Sequence, residues 1–428
     1  MRKQTNPFQV RLVVLESGER LPLLVERATG EPLYQPALYV LTQLRAKNLA
    51  SATINQHCRA IMVLCFFLRD RKIDLGERMT KGQLLSLAEV DALARCCRQV
   101  VEELVDQDTK SQPATLARVT SLERVRMRQR SPASNHEVGA KTASTRGQYV
   151  VAYLRWLVCL KATDTIVTPH PGLSSASEMA LHALAEHLPS RGRETRVARK
   201  GFTKKVRERI LEVIDPDSNA NPWPGIHCRY RNELVVRWLL HLGVRRGEML
   251  SIQTTDIDFQ RNEVTIARRA DDIDDPRRDE PNTKTYDRLL PLSEEMAALA
   301  RAYILKMRNQ FKAARKHQYL LVANGSGVPL SKAAFSKIFA ELRKRFPELA
   351  AVHPHLFRHT WNDDFSEQMD REKVSEEREQ KMRSLLMGWA PTSGTAATYT
   401  KRHVERKANE ASLSMQNRSK RDKRVELR

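Results

Sequence analysis

Five short segments between Leu242 and Lys401 supply, in a fixed order, two arginines, a lysine, a histidine, a tryptophan and a tyrosine, and they constrain the chain most. They read LGVRRGEML (Leu242–Leu250), NTKTYDRLLPL (Asn282–Leu292), HPHLFRHTW (His353–Trp361), LLMGW (Leu385–Trp389) and TAATYTK (Thr395–Lys401). Arg245 follows the strongly apolar stretch Asn232–Leu242, which reads as a helix. Glu248 stands one helical turn on, close enough to hold the guanidinium in one orientation. His355 and Arg358 are spaced i, i+3 and share a face if Pro354 opens a helix. Lys284 falls on the turn side of the strand Arg288–Leu292. Singly each signal is weak. An R-x-x-E is common as a surface ion pair, turn lysines are normally solvated, and tyrosines usually pack on a helix surface.

Together Arg245, Lys284, His355, Arg358, Trp389 and Tyr399 describe one chemistry. Two guanidinium forks suit the non-bridging oxygens of a phosphate. A tyrosine hydroxyl can attack the phosphorus, and a lysine can protonate the leaving oxygen. Tyrosine is a poor nucleophile at its free pKa near 10. A phosphate neutralised by two arginines is a better electrophile, and a nearby base can take the proton as attack proceeds. The set calls for no metal and no cofactor.

Charge agrees with a polyanionic partner. Lysine and arginine number 73 against 51 acidic residues, a net charge of +22, and the sequence pI is near 10.0. A field of that sign favours nucleic acid, with anionic membrane as the competitor. The longest apolar run, AIMVLCFFL at Ala60–Leu68, is far too short to span a bilayer. MRKQTNPFQVRLVV has no apolar core long enough for a signal peptide. No membrane partner and a cytoplasmic, nucleoid-associated location are therefore expected. The six cysteines form no C-x-x-C pair and read as buried free thiols.

The 428 residues suffice for two or three domains. Residues 1–30 read as a β-hairpin around Ser17–Gly18. Residues 31–189 read as a helical domain. In it Tyr34–Lys47 is helical, Ser51 caps a helix with Ile54, Cys58, Ile61, Cys65 and Leu68 on one stripe, and Ser86–Glu89 is a capping box opening a helix to about Val105. Helix returns at Gln148–Leu160. Between them, Asp106–Thr145 is polar and carries Arg124, Arg126 and Arg128, as a partly ordered insertion or a DNA-contacting arm. Residues 190–200 form a basic linker whose Arg193, Arg196, Arg199 and Lys200 either follow a DNA backbone or merely solvate a tether. Residues 201–407 form a second domain, with Phe202–Ile214 helical, strands at Glu263–Ala267 and Arg288–Leu292, and a third at Tyr319–Ala323. Ser331 caps a further helix, Asp363–Arg383 reads as solvated helix, and the basic tail 408–428 frays or docks on a partner. The expected class is mainly α with a small antiparallel β-sheet in the second domain.

The order Arg…Lys…His-x-x-Arg…Trp…Tyr resembles the catalytic domain of the tyrosine recombinases, also called phage integrases, over about Thr203–Arg406. The helical block around SATINQHCRAIMVLCFFL resembles the family's core-binding domain. The resemblance implies a SAM-like core-binding domain and a catalytic domain that close on DNA as a C-shaped clamp. It implies that Arg245 and Arg358 bind the scissile phosphate, Lys284 protonates the 5′-oxygen, His355 acts as base or proton relay, and Tyr399 forms a 3′-phosphotyrosyl intermediate, with Glu248 in support. It also implies homotetramers on two DNA sites, possibly with sibling recombinases. Trp389 stands where most members have histidine, and Leu242 where threonine is usual. Tryptophan can donate a hydrogen bond but cannot exchange a proton. The acidic insertion ADDIDDPRRDE precedes Lys284, and Asp363–Arg383 stretches the spacing from Arg358 to Tyr399. Two other readings stand beside a recombinase of a mobile element: an accessory DNA-binding member with little strand exchange, and a type IB topoisomerase.

Overall fold

The structure is a computed structural model that describes residues 6–100, 137–163, 170–189, 201–281, 285–390 and 392–425. Lys284, Arg124, Arg126, Arg128, Arg193, Arg196, Arg199 and Lys200 lie outside the described residues. The chain forms two compact units, one within residues 1–196 and the other from Val197 onward, with residues 16–19 grouped with the second.

The first unit begins with the expected hairpin. Strands β1 (Phe8–Val14) and β2 (Arg20–Glu26) pair antiparallel, with Phe8 opposite Glu26 and Val14 opposite Arg20. Helix α1 (Tyr34–Tyr39) runs into a π-helical turn at Val40–Arg45. Helix α2 (Ser51–Asp70) starts one residue earlier than a Ser51 cap requires. Ala50 is the N-cap, extended at φ −61° and ψ 144°. Its carbonyl accepts from the N–H groups of Thr53 and Ile54, so Ser51 is already helical. Ile54, Cys58 and Ile61 are buried as their stripe requires. Helix α3 spans Leu75–Thr80. Helix α4 (Leu87–Arg98) has the expected capping box of Ser86 and Glu89, but ends at Arg98 rather than near Val105.

Helix α5 (Ala140–Ala162) starts well before Gln148, because its first turns bury small residues that carry little apolar signal. Gly147 is one of them. A Cβ there would lie 2.1 Å from a Leu188 methyl, so the backbone itself forms the contact. Helix α6 (Leu173–His187), not read from the sequence, packs Leu173, Leu181 and Leu184 into the same core as Ile61, Leu93 and Leu154. Among the cysteines, Cys58 and Cys97 are buried, but Cys159 is exposed on α5 and departs from the buried expectation.

The second unit is organised on α8 (Ile226–Leu242), preceded by α7 (Lys204–Ile214). Leu234, Val235, Val236, Trp238 and Leu239 of α8 are all fully buried. Burial on this scale contributes about 1.5–3 kcal/mol per large side chain. Gly243 ends α8 in the left-handed region at φ 60°, and a Cβ there would sit 2.9 Å from the Trp361 ring. The turn leads into α9 (Arg246–Ser251).

A three-stranded antiparallel sheet follows in the order β3 (Ile257–Asp258), β4 (Glu263–Ile266), β5 (Arg288–Pro291). The expected strand at Tyr319–Ala323 is not part of it and forms isolated bridges only. Its backbone groups are divided among scattered partners: Arg308 donates to the Tyr319 carbonyl at 3.0 Å, the Val322 N–H donates to the Tyr303 hydroxyl at 3.3 Å, and the Leu320 and Ala323 N–H groups donate to the Ile252 and Val328 carbonyls, both at 2.8 Å.

The acidic insertion between β4 and β5 is fastened to the unit. Arg277 pairs with Asp275, donates to the Leu250 and Leu330 carbonyls at 2.9 and 3.1 Å, and lies 4.3 Å over the Tyr319 ring. The remaining helices are α10 (Glu294–Ala302), α11 (Lys332–Arg345), α12 (Pro354–Arg371), α13 (Glu376–Met387) and α14 (Thr395–Val425). Ser331 caps α11, and Pro354 opens α12, both as expected. Helix α14 runs into the basic tail at residue 408 and continues to Val425. No helix among the described residues is long and apolar enough to cross a membrane.

Candidate active site

The site is built around one buried carboxylate. Glu248 lies in the first turn of α9 with its side chain fully buried. Its Oε1 accepts from Arg245 Nη1 at 3.0 Å and from the Thr285 hydroxyl at 2.7 Å. Its Oε2 accepts from the Arg245 backbone N–H and from Arg288 Nη2, both at 2.8 Å. Arg358 Nη1 is 4.0 Å from the same oxygen. The sequence expectation that Glu248 orients Arg245 is therefore only part of its work.

Burial alone raises the Glu248 pKa. The charge and hydrogen bond of Arg288, with Arg358 and Arg245, outweigh it and hold the group at about 2 against an ordinary 4.5. A carboxylate depressed by folding stabilises the protein above its ordinary pKa and loses that contribution as pH falls to its folded value. Denaturant midpoints of the wild type are thus expected to drop between about pH 4.5 and pH 2. Glu248→Gln should lower the midpoint at neutral pH and flatten that drop. Equal pH slopes for the two proteins would show that this carboxylate does not carry the pairing.

Arg358 projects from the second turn of α12 and is 1% exposed. Its Nη1 donates to the Gly243 carbonyl at 2.8 Å, and its Nη2 to the Met387 carbonyl at 3.3 Å. Burial and the Arg245 charge lower its pKa to about 9, while Glu248 and Tyr399 oppose the shift. It is a cation stripped of water, for which an arriving anion supplies counter-charge.

Arg358 also lies 5.2 Å over the Trp389 ring. Trp389 in turn stacks on Tyr399, with centroids 5.6 Å apart and planes 11° from parallel. The Trp389 indole N–H is buried and finds no acceptor among the described residues. Two backbone features fix this corner. Gly388, at φ 64°, ends α13, and a Cβ on it would lie 2.8 Å from the Tyr286 carbonyl and 2.9 Å from Arg288 Nη1. The Tyr286 N–H donates to the Gly388 carbonyl at 3.0 Å, locking the start of β5 to the Trp389 loop.

His355 is edge-on to His359 at 4.5 Å, and His359 is 5.6 Å from the Tyr399 ring. Five of the six residues singled out, Arg245, His355, Arg358, Trp389 and Tyr399, therefore meet in one region. An open cleft of about 800 Å³ adjoins it, lined by Arg245, Arg268, Thr285, Tyr286 and Trp389.

Residues 202–406 match the family model described as the phage integrase family. Tyrosine recombinase XerC of Staphylococcus aureus is 23% identical over 162 residues, 37% of this chain and 45% of that protein. XerC of Staphylococcus haemolyticus is 26% identical over 162 residues, 37% of this chain and 46% of that protein. Over residues 202–406 the chain thus matches the phage integrase family, and these relatives are tyrosine recombinases. It spans less than half the length of those curated relatives. Among solved structures, the Tn1549 transposon integrase in complex with transposon right end DNA aligns at 14% identity with a TM-score of 0.48, over 89% of this chain and 98% of that one.

Within this matched domain, sequence reasoning missed two buried arginines. Arg288 reads as an ordinary strand residue, yet strand alternation puts it on the same buried face as Leu290. That alternation was the available signal. Arg383 falls in the stretch expected to be solvated, but is fully buried. It pairs with Glu379 and donates to the Asn362 side chain at 2.9 Å, and its guanidinium lies 5.9 Å over the Tyr399 ring. A paired arginine in a helix rich in charge has no periodic signature that separates it from its solvated neighbours.

Proposed function

We propose that this chain is a site-specific DNA recombinase that cleaves and rejoins double-stranded DNA through a 3′-phosphotyrosyl intermediate. The convergence of Arg245, Arg358, the unpartnered Trp389 indole N–H and Tyr399 beside one cleft carries the reading. Arg245 and Arg358 bind the non-bridging oxygens of the scissile phosphate, and Trp389 donates a third hydrogen bond. Such donors act most strongly as charge builds on the phosphorane. The Tyr399 oxygen attacks phosphorus, and the bond to the 5′-oxygen breaks. Lys284 gives that oxygen its proton, and His355 accepts or relays the proton of the tyrosine. The freed 5′-hydroxyl of a partner strand then attacks the phosphotyrosine, restoring the diester and the tyrosine. Bond energy is conserved, so no nucleotide is consumed.

In this reading a helical core-binding domain and the integrase domain clamp DNA, and four protomers join two sites to move a mobile element within the nucleoid. Arg124, Arg126, Arg128, Arg193, Arg196, Arg199 and Lys200 would follow the DNA backbone. A duplex nicked near the cleavage site, built from the two DNA junctions that flank the gene, tests the reaction by trapping the covalent adduct. No adduct with either junction would sink it. Relaxation of supercoils by a monomer would favour a topoisomerase instead, and binding without any adduct an accessory protein.

Two results are expected besides. Lys284→Ala should cleave poorly, yet recover on a substrate with a 5′-bridging phosphorothiolate, because sulfur leaves without protonation. Lack of recovery would assign the proton to another residue. DNA binding should weaken steeply from low to physiological salt, as counterions displaced from many phosphates return. A flat response would undercut the clamp.

A further inference from the structure

We infer that Arg288 is a positioning residue that occupies Glu248 and so reserves Arg358 for the phosphate. This inference rests on the proposed cleavage reaction. Arg288 opens β5 with its side chain 3% exposed. Every nitrogen of its guanidinium is committed within the protein. Nη2 donates to Glu248 Oε2 at 2.8 Å, Nε to the Leu386 carbonyl at 2.7 Å, and Nη1 to the Thr285 hydroxyl at 3.4 Å. Three of its five N–H groups are bonded there, and the side chain is too deeply buried to reach DNA. Arg245, by contrast, keeps a third of its side chain exposed and lines the cleft.

The charge count gives Arg288 its purpose. Arg245, Arg288 and Arg358 surround one carboxylate, so the cluster carries three positive charges against one negative. Without Arg288 the excess falls from two charges to one, and Glu248 Oε2 loses a charge-assisted hydrogen bond. The nearest replacement is Arg358, whose Nη1 is already 4.0 Å away. Closing that gap into a hydrogen bond needs about 1 Å of movement. It would draw the guanidinium off the Gly243 carbonyl and toward a buried anion that competes with the substrate. The bond from Nε to Leu386 and the close approach of Nη1 to Gly388 also tie Arg288 to the loop that carries Trp389.

The test compares wild type, Arg288→Met, Glu248→Gln and the double variant on the nicked junction duplex. Circular dichroism and single-site gel shifts check folding and binding. Arg288→Met should cleave about 100-fold more slowly than wild type with binding little changed. The double variant should recover at least about tenfold over Arg288→Met, since the carboxylate that captures Arg358 is gone. On a duplex with a methylphosphonate at the scissile position, which removes the phosphate charge, the gap between wild type and Arg288→Met should shrink to under about tenfold. A purely structural role predicts neither recovery nor shrinkage, and either failure overturns the inference. Cleavage by Arg288→Met at the wild-type rate overturns it as well. If Arg288→Met does not fold, Arg288→Lys decides: it keeps the charge at Glu248 and should stay within about tenfold of wild type. A rate as low as that of Arg358→Ala would refute the charge argument. If the wild type itself forms no adduct, the recombinase reading fails, a result distinct from all of these.

Discussion

Tyr399→Phe should abolish the covalent protein–DNA adduct on a nicked duplex while leaving site binding nearly intact. The change removes one oxygen and keeps the ring that stacks on Trp389 at 5.6 Å. Packing in this small cluster, with Met387 and Ala396 beside the two rings, is therefore preserved. The loss should be complete rather than graded, because without a nucleophile no phosphotyrosine forms. Denaturing gel electrophoresis reads the outcome directly. A retained adduct would place the nucleophile elsewhere and remove the central residue of the proposed mechanism.

Arg358→Ala is expected to slow cleavage by about 100- to 1,000-fold, with a far smaller loss of binding. The guanidinium is most valuable where charge develops, so its removal weighs on the transition state more than on the bound duplex. Stability should fall too. The Gly243 and Met387 carbonyls lose their donors in a buried place, each costing about 1–3 kcal/mol. Glu248 keeps Arg245 and Arg288, so the site should not collapse. Single-turnover cleavage and denaturant midpoints separate the two effects. Cleavage at the wild-type rate would make Arg358 a structural arginine.

The parts of this site that sequence could reveal are those set by local spacing. Arg245 and Glu248 are three residues apart, and His355 and Arg358 are three apart after a helix-opening proline, so local geometry alone put each pair together. The hairpin at Ser17–Gly18 and the Ser86–Glu89 capping box were legible for the same reason. What escaped depends on partners far away in the chain. Arg288 stands out through Glu248 and Leu386, and Arg383, beyond its local pair with Glu379, through Asn362 and Ser366. The segment Tyr319–Ala323 has the composition of a strand, but its backbone groups are divided among Arg308, Tyr303 and separate main-chain partners at Ile252 and Val328, so no continuous ladder forms. Small residues hid the start of α5, since Ala143, Ser144 and Gly147 pack by their size and not by their hydrophobicity.

The long last helix has a mechanical consequence. α14 carries Tyr399 near its beginning and continues unbroken to Val425. Just past the tyrosine it is pinned to α12, where His403 meets Asp370 at 2.7 Å and Arg406 meets Glu367 at 2.9 Å. At 1.5 Å per residue, Tyr399 lies about 10 Å on one side of Arg406 and Val425 about 28 Å on the other. The helix is then a lever with its fulcrum at those ion pairs and a ratio of about three to one. A sideways pull of about 3 Å on the far end would swing the tyrosine by about 1 Å, a misplacement that can cost in-line attack about 100-fold. Whatever grips the far end of α14 thus holds a throttle on the proposed nucleophile without ever touching the cleft.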